Sequence, residues 1–76
     1  MDIDEIFSAV EKLVGKLVVV YIPDEMYVRG VLQRQDNKYL VSFSYYEEDV
    51  EETFSATVKF SEDDVYKVDG SFITII

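Results

Sequence analysis

Cysteine and histidine are both missing from this chain. Without cysteine there are no disulfide staples and no thiolate metal sites. Without histidine the commonest general base and the commonest metal ligand are gone as well. Long apolar runs are missing too: no segment approaches the roughly 18 consecutive apolar residues of a membrane-spanning helix. Positive charge is scarce, with seven Lys and Arg against sixteen Asp and Glu, for a net charge of −9. That balance weighs against phosphate-rich ligands, which are held mainly by Lys and Arg. The first residues, Asp2, Asp4 and Glu5, are acidic where a signal peptide would be basic, so the expected location is the cytoplasm.

Hydrophobic residues still make up 49% of the chain, too many for a disordered acidic tail. At 76 residues the expectation is one domain, 1–76, with a small core. Its stability must come from tight packing, from oligomerisation, or from both. With no His, no Cys and no phosphate-binding loop, neither an enzyme nor a cofactor is expected.

Residues 2–14, "DIDEIFSAVEKLV", carry Ile3, Ile6, Phe7, Val10, Leu13 and Val14 at three- and four-residue spacing, which predicts an amphipathic helix. Acidic residues crowd its first turn, Lys12 and Lys16 lie at its far end, and Gly15 is placed to cap it. From residue 16 the pattern changes to strands. "KLVVVYI" (16–22) is almost continuously apolar, as in a strand buried on both faces. Pro23-Asp24-Glu25 makes a turn, and 26–32 alternates, with Gly30 marking a bend or the close passage of another backbone. The polar run Gln33 to Lys38 reads as a loop. Further strands follow at 38–46, 53–60, 65–68 and 71–76, around an acidic hairpin tip "EEDVEE" (47–52) and a break "SEDD" (61–64). The plan is a mainly β fold: one helix, then a small, strongly bent five-stranded antiparallel barrel over 16–76, of SH3-like size.

The final strand, "FITII", is apolar, β-branched and uncharged, a hazardous free edge. Either the barrel closes it or another copy pairs with it, and head-to-tail pairing generates rings. Phe60, Val65, Phe72, Ile73 and Ile75 are the expected interface residues of a homo-oligomer.

Helix, bent strands and terminal edge strand together resemble the Sm/LSm family. The first motif of that family matches at Gly30, Leu32 and Asp36, and Tyr39 fits its apolar site, but Leu40 stands where the family has asparagine. The second matches at Val68, Gly70, Ile73 and Ile75, with Asp69 in place of arginine. The resemblance implies a homo-oligomeric ring of about five to eight copies, with single-stranded RNA read at the pore by the two motif loops. Carried onto this chain, the pore candidates are Arg34, Gln35, Asp36, Asn37, Lys38, Tyr39, Asp69 and Gly70. Leu40 offers no hydrogen bond and Asp69 reverses a charge, so base reading is partly lost. Arg34 and Lys38 would form a basic collar, or else be ordinary solvated turn charges.

Two other functions fit the same residues. One is a homo-oligomeric protein-interaction scaffold whose acidic surface recruits basic proteins; the other is an acidic mimic of nucleic acid. The acidic tip lacks the spacing and the central glycine of a calcium loop, so no metal is expected there.

Overall fold

The structure, a computed structural model, describes residues 3–76. Helix α1 spans Ile3–Glu11, with Asp4 and Glu5 in its first turn and Ile6 and Val10 buried. Asp2, expected in that turn, lies outside the described residues. The helix stops short of residue 14 because the chain tightens after Glu11. Leu13 N–H donates to the Val10 carbonyl at 2.9 Å and Lys16 N–H to that of Leu13 at 2.9 Å, both one residue closer than an α-turn. Gly15 then takes φ 88°, the left-handed conformation that closes a helix end.

Six strands follow: β1 (Leu17–Ile22), β2 (Met26–Gln35), β3 (Lys38–Glu47), β4 (Glu52–Phe60), β5 (Val65–Asp69) and β6 (Phe72–Ile75), with a 3-10 turn at Glu62–Asp64 before β5. They form one sheet in the order β4-β3-β2-β1-β6-β5. All neighbours are antiparallel except β1 and β6, which run parallel. The expected antiparallel barrel is therefore an open mixed sheet, with β4 and β5 as its two edges. Among the described residues no helix is long and apolar enough to cross a membrane.

The last strand is not an edge. β6 lies between β1 and β5 and pairs with both, and Ile73 is fully buried. Phe60, Val65, Ile73 and Ile75, expected at an interface between copies, all belong to the chain's own core. The hazard read from "FITII" is met within the molecule: β1 supplies the ladder partner, and α1 packs near β5 and the 3-10 turn.

Polar residues 33–35 are strand, not loop, and Lys38 opens β3, where a strand was expected. Gln35 pairs with Lys38, leaving Asp36-Asn37 as a two-residue connection, with Asp36 at φ 57°. Asp tolerates that region better than most side chains, because its short carboxylate can bond locally.

β2 changes partner partway along. Residues 26–31 pair with β1, but only Leu32 to Gln35 pair with β3. The change falls beside Gly30. A Cβ there would stand 2.4 Å from the Ser42 carbonyl oxygen and 2.8 Å from Val41 Cγ1. β3 thus crosses over Gly30 and then departs with β4 as a long hairpin. The molecule is accordingly stretched, 44 × 25 × 19 Å with a radius of gyration of 13.1 Å. A compact chain of this length would give about 11 Å.

Candidate functional site

The 34–39 loop is tied to the helix. Arg34 Nη1 donates to Glu11 Oε1 in an ion pair, its Nε donates to the Asp36 carbonyl at 3.0 Å, and its guanidinium lies over the Phe7 ring at 5.7 Å. Tyr39 is buried, and its hydroxyl donates to the same Glu11 oxygen at 2.8 Å. Burial, first, and then the Glu11 hydrogen bond and charge push the Tyr39 phenol well above the usual tyrosine range. Lys38 sits close enough to Asp64 to help lower its pKa, although the larger cause is the Ser61 N–H, which donates to Asp64 Oδ2 at 2.9 Å. Of the loop's cations, Arg34 is thus paired with a carboxylate. Gln35, Asp36 and Asn37 are exposed. Asp69 ends β5 and Gly70 opens the two-residue turn to β6, next to β1, where Val19 N–H donates to the Ser71 carbonyl.

A different set of residues converges on the outward face of the sheet. Val18, Val20, Val28, Leu32 and Val41 point into the core, so the alternate residues point away from it. In register on that outer face, Tyr21 stands opposite Tyr27, Val19 opposite Arg29 and Phe72, Phe72 opposite Asp69, Thr74 opposite Lys67, and Leu40 opposite Lys59. Ser42 and Thr57 share the face, their hydroxyls 3.1 Å apart. Tyr21 and Tyr27 stack with ring centroids 4.6 Å apart, and Phe72 meets them at 6.4 and 5.9 Å.

The β1 run was expected to be buried on both faces, but only one face is covered. Leu17 is 50% exposed, and Val19 and Tyr21 are half-buried.

Charge is segregated between the faces. The outer face carries Arg29, Lys38, Lys59 and Lys67, four of the chain's seven cations, and of the acidic residues among those described only Asp69. The other described carboxylates stand on α1, in the turns at 24–25 and 36, on the 47–52 tip and on the 3-10 turn. Among the described residues no group of three or more His, Cys, Asp or Glu is arranged to hold a metal ion.

Sequence reasoning singled out the 34–39 loop and passed over Glu11, Lys59 and Lys67. The outer-face cations had a signal: Lys59 sits between Val58 and Phe60, so strict alternation turns it away from the core. Glu11 had none, because its partners lie 23 and 28 residues away. In comparisons with known proteins, the chain matches no family model, no curated protein and no solved structure.

Proposed function

We propose that this protein is a non-catalytic module that binds single-stranded RNA on the outer face of its sheet. The observation that carries this reading is the segregation of charge: cations and exposed aromatic rings share one face of a strongly acidic chain. Unstacked bases lie down on aromatic rings, and phosphates are held by nearby Lys and Arg. Tyr27 offers the stacking platform, backed by Tyr21 and Phe72; Arg29, Lys59 and Lys67 offer the phosphate contacts. The net charge of −9 does not forbid this, because charges beyond about 8 Å are largely screened at physiological salt. Arg34, held by Glu11, is left out of the site.

The Sm/LSm resemblance adds assembly to the proposal. With β6 inside the sheet, the free edges are β4 and β5. Pairing β4 of one copy with β5 of the next is the head-to-tail route to a ring of about five to eight copies.

Affinity for a single-stranded RNA of about twelve nucleotides, measured from low to moderate salt, tests the binding. Lys59→Ala and Lys67→Ala should each flatten the salt dependence by about 0.7 in log–log slope. Tyr27→Ala should weaken binding roughly tenfold with the slope unchanged. No binding at low salt, or binding indifferent to all three substitutions, would sink the proposal.

A further inference from the structure

Where β2 and β3 part company they leave a cleft. Beyond the Gly30 crossing, Met26 to Arg29 stay with β1 while Phe43 to Glu47 leave with β4. Between them opens a wedge of about 680 Å³ with Val28, Phe43 and Ala56 among its apolar lining, Met26 and Tyr45 at its sides and Glu47 at its mouth. Helix α1 does not cover it: Met26 and Tyr45 are exposed although they share the core-facing side of their strands. Phe54 continues the apolar surface from Tyr45, ring to ring at 5.8 Å.

The walls of the cleft present unpaired main chain. Leu32 directs both its N–H and its carbonyl toward the β1 side, to the Lys16 carbonyl at 2.9 Å and from the Gly15 N–H at 2.8 Å. Strand alternation then turns the peptide groups of Val31, Arg29 and Tyr27 the other way, toward β3. Across the gap, the pairing of Gln35 with Lys38 sets the same phase on β3, so Ser42, Ser44 and Tyr46 aim theirs toward β2. Val31 and Ser42 still flank the last β2–β3 pair, Leu32 with Val41; beyond them, Arg29 and Tyr27 on β2 and Ser44 and Tyr46 on β3 belong to no β2–β3 pair among the described residues. A wedge of open strand edges above an apolar floor is the geometry in which an extended segment adds to a sheet.

Charge selects the occupant. The hairpin beyond the mouth carries Glu47, Glu48, Asp49, Glu51 and Glu52 and no cation. Phosphate is repelled there.

We propose that this cleft docks an extended, basic and apolar segment of a partner protein. The segment sets alternate apolar side chains on Val28, Phe43 and Ala56, joins its main chain to the open edges of β2 and β3, and directs Lys or Arg to the acidic tip. The cleft borders the outer face and shares Tyr27 and Arg29 with it, but docking a peptide there does not depend on RNA binding.

Three synthetic peptides test it against the isotope-labelled protein: alternating Val and Lys, the same with Glu for Lys, and the Val-Lys peptide N-methylated at alternate residues. The Val-Lys peptide should bind, shift the amide resonances of Val28, Ser44 and Ala56, and weaken with salt. The Glu peptide should not bind, and N-methylation should weaken binding roughly tenfold. Two substitutions check the site without relying on one fold. Ala56→Leu fills the cleft and should abolish binding; paired Glu48→Lys and Glu51→Lys, both on the exposed tip, should weaken it about tenfold. Equal binding of all three peptides, shifts confined to other surfaces, or self-association that fills the cleft in place of the peptide would each overturn the proposal.

Discussion

Gly30 holds its place through lack of a side chain. Any Cβ meets the Ser42 carbonyl and the Val41 side chain, and backbone on one side leaves little room to yield. Gly30→Ala should therefore cost about 1–3 kcal/mol, the usual range for overpacking. For a chain of this size a thermal melt should fall by at least roughly 5 °C. Tyr39 carries a pH dependence of opposite reach. Its phenol is held protonated in the folded state past the pH, about 10, at which an unfolded tyrosine ionises. The stability it contributes is complete below pH about 10 and is lost as pH rises through the higher folded value. In an alkaline titration followed by tyrosinate absorbance, Tyr39 should ionise last, together with unfolding. Tyr39→Phe should be less stable near neutrality by about 1 kcal/mol, and should lose less stability above pH 10 than the parent.

At the scale of elements, the helix and the β2–β3 hairpin are joined through one carboxylate. Glu11 Oε1 accepts from both Arg34 and Tyr39, so removing it frees the loop cation and strands a buried hydroxyl. Glu11→Ala should cost about 1–3 kcal/mol by denaturant unfolding, more than Arg34→Ala, which leaves the hydroxyl paired. The helix and most strand limits were legible in the sequence because they rest on local periodicity, although the expected five strands are six. Ile6 and Val10 mark the buried helix stripe, and Phe54 to Phe60 alternate as a strand should. Gly30 was legible as a close approach for the same reason. Polar composition misled at residues 33–35, where β2 runs on through its ladder with β3 although all three side chains are exposed. The place of β6 was illegible, since an apolar strand with one free edge and one with two partners have the same composition. The outer-face site was half legible: alternation placed Tyr27 and Arg29 together, but only the register brings Lys59 and Lys67 to the same face.

For the whole molecule, the separation of charge matters more than its sum. Acidic helix, tip and turns surround a sheet whose outer face is basic, so the molecule has an orientation in any field, and salt tests one face without silencing the other. The free edges also change how assembly is probed. Lysine at Ile73 or Ile75 would unfold the monomer, because both side chains are core. Proline at Thr57, on the exposed β4 edge, probes pairing between copies more selectively. Light scattering should give the mass of about five to eight chains for the parent and of one chain for Thr57→Pro, with circular dichroism confirming that the variant is folded. A parent that scatters as a monomer sinks the ring.

The parallel ladder between β1 and β6 bears on how the protein is made. β1 is made before every other strand of this sheet and β6 after them, so one side of β1 waits for its mate until residues 72–75 have been made. Nascent chains that pause before residue 72 should expose a sticky ribbon to chaperones, whereas helix and hairpins, built from neighbours in sequence, can form meanwhile.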